Sequence, residues 1–201
     1  MKKTKEEAKI TFNNILMAGL KIFSRKGYNA TTLEEVAKEA SVTRGAVYWH
    51  FKNKYELYVS LVNKYGAKIY DRLNGVKNSK DTSINKIKNI IKAYFESLED
   101  DEEFRLIETI CLRSLNAVYE SSDFYNEQII ILNELSEIVS DLINKAKSET
   151  GASDINVEVV TKMLVGMIIG TESLWLLMPY SFSIKKEADV IADSFVRIFK
   201  K

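Results

Sequence analysis

One stretch of the chain carries side chains whose chemistry is recognition. It runs Ser41, Val42, Thr43, Arg44, Gly45, Ala46, Val47, Tyr48, Trp49, His50, Phe51, Lys52, Asn53, Lys54. Read as a helix, it turns Val47 and Phe51 inward and leaves Thr43, Arg44, Ala46, Tyr48 and His50 on or near the outer side. An outer face of small, basic and aromatic groups suits the major groove of double-stranded DNA. Small residues let a backbone approach, arginine forks onto guanine O6 and N7, and Tyr, His and Lys reach phosphates. Just upstream, Leu33, Val36, Ala37 and Ala40 recur at helical spacing. Thr31 or Thr32, with Glu34 or Glu35 three residues on, can form a capping box there. Two short helices with a tight turn at 41–43 make a helix-turn-helix. A helical hairpin that binds no nucleic acid would show the same outline.

Other chemistry finds no constellation. The chain has one histidine and one cysteine. It contains no Gly-x-Ser-x-Gly, no phosphate-cradling glycine loop and no His/Cys metal spacing, so no catalytic residue, metal or cofactor is expected. Cys111 sits in an apolar helical run and reads as a small core residue. No signal peptide and no run of eighteen apolar residues is seen, so a cytoplasmic address is expected.

Charge is distributed unevenly. Residues 1–54 hold eleven Lys/Arg against five Asp/Glu, and residues 55–201 hold eighteen against twenty-three. A basic N-terminal part can face phosphates while an acidic remainder stays off them. The organisation expected is residues 1–53 as a DNA-binding domain and 54–201 as a ligand-binding and dimerisation domain.

The elements that must position the recognition stretch are helices. One proline among 201 residues leaves few interruptions, so the fold class expected is all-α, with nine helices. Thr4 to Glu7 forms a capping box before a helix striped with Phe12, Ile15, Leu16, Leu20 and Phe23 and stopped at Gly27. Its Lys2, Lys3, Lys5 and Lys9 lie near phosphate or on a plain solvated face. Asn53 to Glu56 starts a lever helix carrying Leu57, Tyr58, Leu61, Val62, Tyr65 and Ile69, broken at Asn74-Gly75 and Asn78-Ser79. Ser83 caps the next helix. An acidic cluster, Glu99 to Glu103, precedes a helix with Phe104, Ile107, Ile110, Leu115 and Val118. Ser121-Ser122 caps another, with Ile129 and Ile143, ending before Gly151. Ser153-Asp154 starts a long apolar helix that stops before Pro179, and Ser183 caps the last.

The segment 154–178 is too apolar to bury only one face. Gly166 and Gly170, one turn apart, would admit a second helix closely. The expected partner is the same helix of a second copy, with 184–199 beside it, in a two-fold homodimer. A helix buried centrally within one chain is the other reading. Two-fold heads suit a palindromic operator.

The segment Thr43 to Lys54 resembles the recognition segment of TetR-family transcriptional repressors, and residues 1–70 resemble their N-terminal domains. Leu174 to Ala188 is similar to the C-terminal part of AcrR-type repressors of multidrug efflux pumps. Residues 75–160 carry no recognisable motif. The resemblance implies an all-helical homodimer with a three-helix head, the other helices forming a ligand pocket and the interface. Carried onto this chain, Thr43 and Arg44 are base-contact candidates, and Gly45 and Ala46 allow close approach. Tyr48, His50, Lys54 and Thr32 fall on phosphate-contact positions. Trp49 is read as a packing residue at the head's seam, and His50 also fits a hydrogen-bonded core residue. The turn position is usually glycine but here is Ser41, which costs roughly 1–2 kcal/mol if left-handed.

Tyr94, Phe95, Phe104, Met163, Met167 and Trp175 are expected to supply adaptable apolar walls to the pocket. Glu108, four residues after Phe104, or Glu172, near Trp175, would face a cationic ligand, with rings adding ~0.5–2 kcal/mol of cation–π attraction. The plain reading makes the aromatics core and both acids surface. An inducing ligand, drug-like or a metabolite or fatty acyl group, would shift the 54–73 helix and take the two heads out of operator spacing. Moving that equilibrium from 1:99 to 99:1 needs ~5.5 kcal/mol of differential binding. An enzyme or a helical protein-binding adaptor fits the residues less well, the adaptor leaving the Arg44–Lys54 cluster unexplained.

Overall fold

The computed structural model describes residues 5–115, 122–178 and 181–200, and of residues 114, 115 and 122–131 the backbone alone. The caps at Thr4 and Ser121, Lys2, Lys3, Val118, the side chains of Leu115 and Ile129, and the stop at Pro179 lie outside that description. Among the described residues the elements are nine α-helices and a 3-10 turn. They are α1 Lys5–Lys26, α2 Leu33–Glu39, α3 Arg44–His50, α4 Lys54–Lys77, α5 Ser83–Asp100, α6 Glu102–Leu115, α7 Ser122–Thr150, α8 Val157–Leu177, α9 Ile184–Val196 and the 3-10 turn Arg197–Phe199. The all-α expectation is met.

The chain gathers into two compact units, residues 1–68 with 103–124, and residues 69–102 with 125–201. In the first, α1 presents Ile15, Leu16, Leu20 and Phe23, all buried, to the head's core. A Cβ added at Gly19 would lie 3.2 Å from the Leu57 side chain of α4, which would have to give by a few tenths of an ångström. Gly27, at φ +82°, ends α1 in the left-handed conformation that glycine adopts without a Cβ clash. α6, far off in sequence, belongs to this unit. Its Glu103 pairs with Lys68 of α4 at 2.6 Å.

In the second unit α5 and α9 pack along their lengths. Ile87, Ile91, Phe95 and Leu98 of α5 and Ile184, Ala188, Ala192 and Phe195 of α9 are buried. Lys88–Asp193 at 2.5 Å and Lys92–Asp189 at 2.7 Å flank that seam. The Asp189 hydrogen bond raises the pKa of Lys92 above its ordinary value. Glu149 of α7 accepts both the amide and the hydroxyl of Ser83 at the start of α5, at 2.9 and 2.6 Å.

Several expected boundaries move, each for a local reason. Asn74-Gly75 does not break α4. Its ladder continues to the Asn78 amide on Asn74 O, so one glycine is tolerated inside the helix. The cap of α5 is Thr82, whose hydroxyl accepts the Asn85 amide, and Ser83 is the first helical residue. α8 starts after Asn156, which accepts the Val159 amide, rather than at Ser153-Asp154. Ser183 caps α9 as expected.

α8 is a long apolar helix, as its sequence implies. It contains an 18-residue window of mean hydropathy 1.4, long and apolar enough by length and composition to cross a membrane. Its groups nonetheless divide. Val160, Leu164, Glu172 and Trp175 are buried, while Val159, Met163, Leu174 and Leu177 are exposed along with Gly166 and Gly170.

Ser41 has φ +53°, the sole non-glycine in that region among the described residues. The side chain is exposed, so nothing is lost by removing it. Ser41→Gly is therefore expected to raise stability by ~1 kcal/mol in denaturant melts, and an unchanged midpoint would show that the turn holds no strain.

Candidate nucleic-acid interface

The site rests on two seven-residue helices, each held by its caps. Thr32 and Glu35 form a reciprocal capping box on α2, with Thr32 Oγ1 taking the Glu35 amide and Glu35 Oε2 taking the Thr32 amide. Lys26, hydrogen-bonded to Glu35, holds that carboxyl below the usual range. Thr32, one of the phosphate candidates, is thus first a cap, though it stays exposed. Thr43 plays the same part for α3, accepting the Ala46 amide at 3.1 Å. The hydroxyl hydrogen of each threonine is left to donate.

Val47 is the buried residue of α3, as its spacing implies, and Arg44, Gly45, Tyr48 and Trp49 are exposed. Arg44 lies over the Tyr48 ring at 5.3 Å and pairs with Glu34 of α2 at 2.8 Å. The Tyr48 hydroxyl first, then Glu34, raises the guanidinium's pKa further above its ordinary value. Both contacts are solvent-exposed, so exchanging Glu34 for a base edge costs little. A Cβ on Gly45 would meet only Thr43 Oγ1, at 3.9 Å. Nothing inside the chain demands glycine at that place.

Two expectations change. Trp49 is not a packing residue, because its side chain is 72% exposed. Position 49 lies on the same side of this helix of about two turns as Gly45, away from Val47, and periodicity over so short a helix does not reveal that. Lys54, expected at phosphate, turns inward. Its ammonium donates to Asn29 O at 3.1 Å and Thr31 O at 2.9 Å and sits 4.5 Å from the Tyr28 ring. Those carbonyls belong to the turn before α2, and the partial burial of Lys54 pushes its pKa down. His50 is half-buried, edge-on to Phe12 at 5.6 Å and to Trp49 at 4.5 Å. Ala46 is half-buried.

The ligand-side candidates are spread over both units. In the second, Tyr94 of α5 donates its hydroxyl to Glu172 Oε2 of α8 at 2.9 Å. Glu172 is only 1% exposed, so it is no surface acid. Trp175, one turn on, is buried and donates Nε1 to Phe182 O at 3.2 Å. Met167 is half-buried. Met163, expected in the pocket wall, is instead 52% exposed on the open stripe of α8, opposite Glu172. Phe104, buried, and Glu108, half-buried, lie on α6 in the first unit. A cleft of about 660 Å³ between the end of α4 and α7 is lined by none of these residues, but by Tyr70, Asn74, Lys77 and the α7 groups Glu134, Glu137, Ile138, Ser140 and Asp141. The Tyr70 phenol donates to Glu134 there at 2.9 Å, and burial with that carboxylate pushes its pKa well up.

The family model for bacterial regulatory proteins of the tetR family matches residues 15–61, from the middle of α1 to the first part of α4. The model for the C-terminal region of MAATS-type transcriptional repressors matches residues 82–201. The HTH-type transcriptional regulator AcrR of Shigella flexneri is 31% identical over 189 residues, 93% of this chain and 88% of that one. The fatty acid metabolism regulator protein of Bacillus subtilis is 25% identical over 167 residues, 83% of this chain and 84% of that one. Among solved structures, NalD, the secondary repressor of the MexAB-OprM multidrug efflux pump in Pseudomonas aeruginosa, superposes with a TM-score of 0.78 at 26% identity, covering 96% of this chain and 97% of that one. With more than half its length matched by these models and its recognition helix exposed as such a reader requires, the chain belongs to the TetR family of bacterial transcriptional regulators.

Proposed function

We propose that this regulator is a homodimeric repressor that holds a palindromic operator and lets it go when a small apolar or cationic ligand binds, and that it governs a multidrug efflux system. The observation that carries the DNA part is Gly45. It is exposed, it has open space around it, and it sits between Arg44 and Tyr48 on the outer side of α3. Glycine inside an exposed helix costs ~0.5–1 kcal/mol relative to alanine, so its place is best explained by a body outside the chain that comes close. In this reading Arg44 leaves Glu34 for a base edge, Tyr48 and Trp49 lie along the sugar-phosphate wall, and the Thr32 and Thr43 hydroxyls donate to phosphate or base. His50 orients Trp49 from beneath, and Lys54 braces the head from within. Action on chromosomal DNA requires residence in the cytoplasm.

The dimer reading rests on α8. Its exposed residues Val159, Met163, Gly166, Gly170, Leu174 and Leu177 recur every three or four positions and make one continuous stripe. Cβ atoms built on Gly166 and Gly170 would meet nothing within 4 Å, which leaves room for a second helix. Val190 of α9, 67% exposed, adds to the apolar surface. Two heads held by such an interface would match half-sites about 34–36 Å apart.

Efflux control is favoured by the kinship with AcrR and NalD. The buried Glu172, bonded to the half-buried Tyr94 and close to Trp175, supplies an acid and rings suited to a hydrophobic cation. A second reading, release by a fatty acyl ligand, is favoured by the fatty acid metabolism regulator among the relatives. Operator mobility shifts with hydrophobic cations and with long-chain acyl thioesters separate the two, and no response to either class would sink both.

Three outcomes are expected on a duplex selected from a random pool. Arg44→Ala relaxes preference at one base position by roughly 10- to 100-fold, and unchanged selectivity would remove Arg44 from base reading. Gly45→Ala stabilises the fold by ~0.5–1 kcal/mol in thermal melts while weakening operator binding, and tighter binding would refute a close approach at α3. Leu174→Glu shifts sedimentation toward a monomer and lowers operator affinity with it. A protein that sediments as a monomer before any substitution would end the dimer proposal.

A further inference from the structure

The last four carbonyls of a helix have no intrahelical partner and must find one elsewhere. At the end of α1 and in the turn after it some partners are local and others come from distant elements. Phe23 O accepts the Gly27 amide at 2.8 Å. Ser24 O and Arg25 O both accept Nη1 of Arg113, on α6, at 2.6 and 2.9 Å. Gly27 O accepts the Thr31 hydroxyl at 2.8 Å. Asn29 O and Thr31 O take the Lys54 ammonium of α4. The turn from α1 to α2 therefore hangs between two cations, one from α6 and one from α4, each gripping two carbonyls.

The turn is in turn fastened to the helix-turn-helix. Arg25 pairs with Glu39 at 3.1 Å and Lys26 with Glu35 at 2.5 Å, at the two ends of α2. α2 packs on α3, which carries the recognition residues. A positive group at a helix C-terminus is also favoured by the helix dipole. Arg113 has the right form for two adjacent carbonyls, since its planar group presents fixed donors. It lies outside residues 15–61, the head matched by the family model.

We propose that Arg113 is a positioning residue for operator binding: it sets the end of α1, through Ser24 and Arg25, and so the placement of α2 and α3. Any ligand-driven shift of α6 would then reach the recognition helix through α1 as well as through α4. This rests on the DNA-binding reading above.

The test uses the full chain and the strongest duplex that the unmodified protein selects from a random pool. Anisotropy titrations at several salt concentrations are compared with hydrogen exchange of the free protein. Arg113→Ala is expected to lose ~10-fold in affinity, the order of a charged hydrogen bond. Its dependence on salt should stay the same, because no phosphate contact is removed. Amides of residues 24–32 should exchange faster. Arg113→Lys keeps the charge and one donor head, and should restore part of both effects. It also carries the test if the alanine variant does not fold. Unchanged affinity and exchange would overturn the proposal. So would a salt slope lowered by about one, which would mean that Arg113 touches phosphate itself. An unmodified protein that selects no duplex would overturn the DNA-binding reading, with exchange at 24–32 still reporting whether Arg113 holds the turn.

Discussion

Two helices of seven residues hold the recognition surface, and helices that short do not persist in water by themselves. Everything in the head compensates for that deficit. Thr32, Glu35 and Thr43 satisfy the exposed amides at the helix starts. Leu33, Val36, Val47 and Phe51 bury the inner side. Lys54 and Arg113 take the carbonyls of the approach turn. The caps and the two cations tie down the ends of these helices, and the outer side of α3 keeps its exposed side chains. A recognition surface of this kind is held by its caps and its packing, not by the strength of its helices.

The same constraint sorts the side chains of the motif into two kinds. Those whose polar atoms are consumed inside the head, Lys54 above all, brace it. Those whose atoms remain available, Arg44, Tyr48 and Trp49, face out. Arg44 is parked on Glu34 and Tyr48, two exposed contacts that hold its geometry while remaining cheap to leave. Pre-positioning of this sort lowers the ordering cost of docking without committing the charge.

α8 obeys a different logic. Its composition would suit a lipid bilayer, yet one side carries Glu172 bonded to Tyr94 and buried beside Trp175. The opposite side is an apolar stripe with two glycines. A buried acid is costly unless neighbours offset it, and the Tyr94 hydroxyl supplies one such contact to Glu172. The apolar stripe, exposed within one chain, is a cost of another sort, removed when a like surface covers it.

Much of this protein was legible in its residues. The 3.6-residue spacing of apolar groups and the scarcity of proline gave all-helical architecture, and the motif from Thr43 to Lys54 gave the recognition helix and the family, because caps, periodicity and short motifs are local properties. The left-handed turn at Ser41 was likewise readable from the position glycine usually fills. What only the tertiary structure decided depends on neighbours remote in sequence. Trp49 points out because Val47 takes the inner side of α3, and Lys54 points in because Asn29 O and Thr31 O lie within its reach, not because of residue type. Met163 is exposed and Glu172 buried because α8 packs with one of its two apolar sides and leaves the other bare. Arg113 finds Ser24 and Arg25 across almost ninety positions, and no periodicity in a linear chain encodes a contact between a side chain and a carbonyl that far apart.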